Sequence, residues 1–213
     1  MQQIHIPKLL QEIPDLPKKI YINGTYPDQE HHLFLTIVGS RNATNYGKEV
    51  CRTIIKELKD YPVVIVSGLA VGIDTYAHTY ALEYGLPTIA VLGSGLSEEV
   101  LYPPSNRMLA QNIVKKGGCL ISEYDYMFTP KRWSFPKRNR IMAGISHAVL
   151  VIEAEDKSGS KITADLAYDY NREVLAVPGS IFSKYSAGCN KLITEGAVAI
   201  CSGKDIINYF NLN

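Results

Sequence analysis

From residue 33 onward, short runs of consecutive apolar residues alternate with stretches in which apolar residues recur every three or four positions. The runs cover Leu33–Val38, Val63–Ser67, 88–92, Cys119–Ser122, 148–152, 174–177 and 197–200. Several are rich in Val and Ile at successive positions, the pattern of strands buried on both faces of a parallel sheet. Between them, Val50, Cys51, Ile54, Ile55 and Leu58 fall on one stripe, which predicts a helix over 45–59. The same periodicity predicts helices near 74–84, 105–116, 137–146, 160–171 and 203–210. Repeated strand–helix alternation implies right-handed crossovers, hence an α/β fold with a doubly wound, mostly parallel sheet and helices on both faces. Before residue 33 the pattern fails. Pro7, Pro14 and Pro17 interrupt the chain, and only 19–22 reads as a strand, ending at Asn23-Gly24. The expected organisation is an N-terminal extension, 1–30, packed on one domain, 31–213.

Composition narrows the class. Of 213 residues, 46% are hydrophobic and 20% charged, which suits a globular protein with a sizeable core and argues against disorder, a collagen-like repeat or a coiled coil. The net charge of +1 gives no support to a uniformly basic nucleic-acid binder. Cys51, Cys119, Cys189 and Cys201 include no Cys-x-x-Cys pair and no His at ligand spacing, so no zinc site is expected. No stretch reaches the ~18 apolar residues of a membrane span, and 1–11 lacks the basic-then-apolar order of a secretory leader. These observations point to a reducing cytoplasm and to no membrane association.

The ends of the strands carry the candidate chemistry. Val38 leads to Gly39-Ser40-Arg41, Val66 to Ser67-Gly68, and Leu92 to Gly93-Ser94-Gly95. Ile152 leads toward Ser158-Gly159-Ser160, and Val177 to Pro178-Gly179-Ser180. Ligands of open α/β sheets bind outside the carboxyl ends of the strands, and Gly and Ser there expose amides and hydroxyls suited to anions. A tight turn favours the same residues, so the repetition along one edge matters more than any single instance. The phosphate-loop, dinucleotide and nucleophile-elbow patterns are absent. Asp74 and His78, four apart on a predicted helix, are expected to cap and pack rather than to ligate a metal.

Segment 131–140, Lys-Arg-Trp-Ser-Phe-Pro-Lys-Arg-Asn-Arg, holds five cations and no acid, leaving the other 203 residues at −4. It also contains the only Trp. Cations for phosphates interleaved with aromatic rings for bases is what a single-strand groove needs; a solvated basic loop pinned by Trp133 and Phe135 is the plainer alternative. If a helix begins at Lys137, Arg138 points with the stripe Ile141, Met142 and Ile145 toward the sheet and the strand-end crevice. Lys137 and Arg140 then point away.

Six ordered segments, Ile37-Val38-Gly39-Ser40-Arg41, Ser67 to Asp74 with Ala77-His78, Phe135 to Ile141, Ser158 to Ala164, Ala176 to Ser180 and Gly188 to Ile193, resemble the DNA-processing protein A (DprA/Smf) family. The resemblance implies a Rossmann-like core that binds single-stranded DNA, usually as a homodimer, and helps load the RecA recombinase in natural transformation. It implies no cofactor and no catalytic residues. Carried over by motif, Gly39, Ser40 and Arg41 form the phosphate pocket. Arg132 and Arg138 hold the backbone, with Lys137, Asn139 and Arg140 beside them, and Phe135 contacts a base. Lys157 or Lys161, flanking Ser158-Gly159-Ser160, adds a further phosphate contact. The chain departs from the pattern at Val71, where the family commonly has Arg. Set against the resemblance, these 213 residues are expected to correspond to the core alone, without the small helical domain before it and the winged-helix-like domain after it that many members carry.

Two other classes share this type of fold. A nucleoside-monophosphate phosphoribohydrolase needs a Glu where this chain has Thr163, and Asp165 lies about 200° away around the helix. A nucleotide-sensing domain could use the same pocket for a small anion. Apolar candidates for a dimer face are Val198, Ile200, Ile206 and Ile207, which could equally serve the core.

Overall fold

A computed structural model describes residues 2–156 and 158–212. Among these, nine strands form one sheet: β1 (Gln2–Ile4), β2 (Ile20–Gly24), β3 (Leu33–Val38), β4 (Val63–Ser67), β5 (Thr88–Val91), β6 (Cys119–Ser122), β7 (Ala148–Val151), β8 (Glu173–Ala176) and β9 (Val198–Ala199). Their spatial order is β1-β2-β6-β5-β4-β3-β7-β8-β9. Strands β3 to β9 run parallel, β2 pairs antiparallel with β6, and β1 antiparallel with β2. The helices are α1 (Asn45–Glu57), α2 (Ile73–Tyr84), α3 (Arg107–Lys115), α4 (Ser134–Gly144), α5 (Gly159–Asp169), α6 (Ala187–Thr194) and α7 (Gly203–Tyr209).

The continuous apolar runs are strands with two buried faces. In β3, Phe34 and Val38 join one core layer while Leu33, Leu35 and Ile37 join the other. In β7, Val149 and Val151 oppose Ala148 and Leu150 in the same way, as a side-chain period of two requires. The first layer is closed by Ile141 and Met142 of α4 and by Ala164 and Ala167 of α5. The second is closed by Cys51, Ile54 and Ile55 of α1, Ile73 and Ala77 of α2, and Ile206 of α7. From β3 the chain winds outward through β4, β5 and β6 on one side and resumes at β7 on the other. The carboxyl ends of β3 and β7 therefore part, and a crevice opens between them.

Local contacts fix the elements that border this crevice. Thr44 caps α1 by accepting from the Gly47 amide at 3.2 Å, and its own hydroxyl donates to Glu153, just after β7, at 2.5 Å. Glu153 also accepts from the Thr44 amide at 2.9 Å, so this buried carboxylate ties the start of α1 to the end of β7. Helix α4 starts at Ser134, three residues before the expected start at Lys137. Pro136 sits in its first turn, where a missing N–H costs nothing. The Ser134 hydroxyl accepts from the Lys131 amide at 3.0 Å and donates to the Gly93 carbonyl at 2.6 Å, which docks the helix start on the loop after β5.

Two further features depart from the sequence reading. Residues 2–24 build β1 and β2 into the sheet, where only one short strand was expected, and Leu10, Ile13, Ile20 and Ile22 enter the core. Arg172 clamps the intervening 3-10 turn, donating to Glu12 at 2.7 Å and to the Leu9 carbonyl at 2.7 Å. Helix α6 was not foreseen. The dimer-face candidates are largely used within the chain: Ile200 and Ile206 are buried, and Val198 and Ile207 pack against the same core layer. No helix among the described residues is long and apolar enough to cross a membrane.

Candidate functional site

The crevice at the parting of β3 and β7 encloses about 440 Å³. Its floor is Val38, Gly39 and Ser40 beyond β3. One wall is the start of α4 (Phe135, Pro136, Arg138 and Asn139), and the other is Ser158, Gly159 and Ser160 at the start of α5. Arg41 lines it from an exposed position. Of the residues expected to bind, nine therefore meet at one place: Gly39, Ser40, Arg41, Phe135, Arg138, Asn139, Ser158, Gly159 and Ser160.

The turn after β3 is built to present amides. The Ser40 hydroxyl accepts from the Asn42 amide at 3.0 Å, and the Ser40 carbonyl accepts from the Ile73 amide at 3.1 Å. Opposite, the Ser158 hydroxyl accepts from the Lys161 amide at 3.4 Å, opening α5 with its first N–H groups toward the crevice. A helix of this length directs the positive end of its dipole at whatever occupies that mouth. Gly159 has open space where a side chain would sit, so a ligand can approach its backbone closely.

Arg138 corrects the picture of a free phosphate clamp at the rim. It is buried, and its Nη1 donates to the carbonyls of Gly68 at 2.5 Å and Val91 at 2.6 Å, stapling the ends of β4 and β5. The guanidinium passes so close to Gly68 that a Cβ there would collide with it. Burial lowers its pKa to about 10, a value still far above neutrality, so the charge stays on. Asp74, also buried, accepts from the amides of Gly68 and Ala70 at 3.1 and 3.3 Å; burial raises its pKa against the pull of Arg138 and these amides. Asp74 thus braces the turn before α2 instead of capping that helix. His78 bonds Thr88 of β5 at 2.7 Å, and burial lowers its pKa to about 3, so the ring is neutral.

The remaining candidates lie elsewhere. Arg132 and Lys137 are exposed at the start of α4 and flank the crevice without lining it. Arg140, expected to project from the helix, is buried. It pairs with Glu123 at 2.5 Å and Asp15 at 2.9 Å, because the N-terminal segment and the loop after β6 cover that face of α4. Lys161 turns away to Asp165 at 2.8 Å and Glu195 at 3.8 Å and does not line the crevice. Lys157 falls outside the described residues. Trp133 is half-exposed and packs edge-on against Tyr124 and obliquely against Phe128, with centroids 6.0 and 5.9 Å away.

Sequence reasoning missed several lining residues. Asp74, Glu155 and Thr163 line the crevice, and Glu155 is paired with Lys184 at 3.1 Å. A second depression, about 60 Å³, adjoins it. Arg41, Ala70, Phe135 and Arg138 are shared with the crevice, while Gly68, Val71, Tyr102 and Pro103 are new. Tyr102 carried no signal beyond a Tyr-Pro-Pro turn.

Comparison with known proteins shows the family and the fold. A family model described as DNA recombination-mediator protein A matches residues 1–211. Protein Smf of Synechocystis is 43% identical over 204 residues, 94% of this chain and 50% of its own length. DNA processing protein DprA of Bacillus subtilis is 42% identical over 200 residues, 94% of this chain and 66% of its own length. The chain thus spans half to about two-thirds of these relatives. Among solved structures, DprA of Streptococcus pneumoniae superposes with a TM-score of 0.89 at 39% identity, covering 97% of this chain and 73% of that one. DprA of Helicobacter pylori, described for its single-stranded DNA binding mode, superposes at 0.86 with 33% identity, covering 99% and 96%. A molybdenum cofactor binding protein of Rippkaea orientalis, 14% identical at a TM-score of 0.59, shares the fold alone. An α/β chain with a crevice at its switch point and a family match along nearly its whole length belongs to the DNA recombination-mediator protein A family, the DprA/Smf proteins.

Proposed function

We propose that this chain binds single-stranded DNA along the carboxyl edge of its sheet and acts in DNA processing during transformation and recombination. The observation that carries the reading is the meeting of the Gly39-Ser40 turn, the α5 amino terminus and Arg41 around one crevice, with the Phe135 ring on its wall. Phosphates lie over the amides and Arg41, Arg132 and Lys137 add charge outside, while bases face Phe135. Arg138 contributes a fixed positive charge from behind the wall. Contacts of this kind do not read base edges, so little sequence preference is expected.

The resemblance implies a partnership with a RecA-type recombinase, a homodimer, and residence in the cytoplasm, and the family's description as a recombination mediator fits the first of these. Buried Cys51, Cys119 and Cys189 fit a reducing compartment; burial holds all three thiols well above their ordinary pKa, Cys119 at about 12. The chain acts as a binding protein in this reading, not an enzyme. Helix α5 offers the crevice the hydroxyl of Thr163, whereas Asp165 is turned outward to Lys161.

Fluorescence anisotropy with single- and double-stranded oligomers at two salt concentrations tests the proposal. Preference for the single strand, with a log–log salt slope of about −0.7 per neutralised phosphate, is the expected result. Equal affinity for a mononucleotide and a ten-base oligomer would instead indicate a nucleotide sensor, and release of free base from AMP would indicate a hydrolase.

A further inference from the structure

Beside the crevice, the Tyr102 and Phe135 rings meet at a centroid separation of 5.5 Å, tilted 54° to each other. Phe135 rests on bare backbone: a Cβ on Gly93 would strike its ring. Arg41 lies over the Phe135 ring, its guanidinium carbon 6.0 Å from the centroid. Tyr102 comes from the loop between β5 and α3 and is half-exposed; it makes no contact with the crevice itself. Val71, 42% exposed, borders the same depression and gives it an apolar lip. At about 60 Å³ the depression is too small to swallow a base, which could only lie across it.

We propose that Tyr102 and Phe135 form a two-ring seat for one base of the bound strand, with Arg41 bridging between this seat and the phosphate crevice. Three observations point to a base over other occupants. The depression shares Arg41, Phe135 and Arg138 with the crevice, so a nucleotide whose phosphate meets Arg41 brings its base to the seat. Beside Arg41 and Arg138 it is lined by the Tyr102 and Phe135 rings and by Ala70, Val71 and Pro103, apolar surface that suits any base. Its one exposed charge is the Arg41 guanidinium, which stacks on nucleobases as it does on Phe135. Tyr102 is thus a binding residue that senses bases and not phosphates. The inference rests on the strand-binding reading above.

The test separates the two. Binding of a ten-nucleotide thymidine oligomer and of an abasic oligomer of the same length is measured for the wild type, Tyr102→Ala, Tyr102→Phe, Tyr102→Leu and Arg41→Ala, with folding checked by circular dichroism melts. Wild type is expected to bind thymidine more tightly than the abasic strand. Tyr102→Ala should weaken the thymidine oligomer about tenfold, the scale of one lost stack, and leave the abasic oligomer unchanged. Tyr102→Phe should keep the wild-type affinity for both. Tyr102→Leu, which preserves apolar bulk without a ring, should behave as Ala. If Tyr102→Ala weakens both oligomers alike, or neither, or if Leu substitutes fully, the seat is refuted. Should Arg41→Ala still weaken both strands in that case, strand binding stands without the seat. Wild type that binds neither oligomer overturns strand binding and the seat together.

Discussion

Segment 131–140 carries five cations in sequence, yet the fold divides them into two groups with opposite roles. Lys131, Arg132 and Lys137 stand in solvent around the start of α4. Arg138 and Arg140, one and three residues further on, are each only 4% exposed and are committed to the protein itself. Arg138 staples two strand ends through their carbonyls, and Arg140 answers two carboxylates. A stripe that reads as +5 along the chain therefore shows +3 to an approaching strand. Formal charge counts cations; burial and partners decide which of them a ligand can use. In the proposed reading the outer group meets the phosphates, while the inner pair is spent on the protein's own carbonyls and carboxylates.

The sharpest test of this division is Arg140→Ala. It leaves the largely enclosed Glu123 carboxylate without its partner and should cost about 4 kcal/mol in urea denaturation, the usual scale for breaking a buried pair. An unchanged midpoint would move Arg140 to the outer group. Arg138→Leu should follow at about 3 kcal/mol, since two carbonyls lose a charged donor.

Acid probes the inner region in another way. His78 has a folded pKa of about 3, depressed by burial and then by the nearby Arg138 charge, against an ordinary 6.5. Below pH 6.5 the unfolded chain takes up a proton that the folded one refuses, so stability falls as pH drops toward 3. Between pH 7 and 4 the loss from this ring is about 3 kcal/mol. The partly buried His147, also lowered, adds in the same direction, and Asp74, raised, acts oppositely. His78→Asn should flatten the acid limb measured by denaturation across that range; an unaltered slope would remove His78 as its source.

The outer group and the crevice should answer in binding alone. Arg41→Ala is expected to weaken single-stranded oligomers about tenfold and to reduce the salt slope by about 0.7. Arg132→Ala and Lys137→Ala should each cost about two- to threefold in affinity, with urea midpoints shifted by less than about 0.5 kcal/mol. Stability losses as large as those of the inner pair would erase the contrast. Smallest of all should be Lys161→Ala, whose exposed partners make its ion pairs worth about 0.5 kcal/mol and whose direction keeps it off the strand; titration should give wild-type affinity.

Much of this architecture was legible in the apolar pattern. Runs such as Leu33–Val38 and Val63–Ser67 announce strands because a parallel sheet buries both faces, and nearly every residue in them must be apolar. Strand β1 gave no such signal: at the sheet's edge, Gln2 and Gln3 are exposed and only pairing with β2 defines them. Helix α6 hid behind Gly188 and Asn190, poor helix formers used here for contact. Gly188 packs against Ala154, and the Asn190 side chain brackets both backbone groups of Gly179. In the site, Gly39-Ser40-Arg41 and Ser158-Gly159-Ser160 were readable because turn chemistry is local. The fate of Arg140 was not, because its partners Asp15 and Glu123 come from distant segments, and helical geometry alone shows a direction but not what waits there.

The N-terminal strand pair has a consequence for how the molecule behaves in company. Without β2, strand β6 would end the sheet with an open row of amides and carbonyls beside Cys119, Leu120 and Ile121, a template for another molecule's strand. Strand β2 occupies that row, and β1, three residues long with two glutamines, closes the sheet on a border too short and too polar to recruit a neighbour. At the opposite border β9 is only two residues long. Trimming residues 1–24 should therefore raise edge-to-edge association above that of the full chain, read by light scattering, even with the crevice untouched.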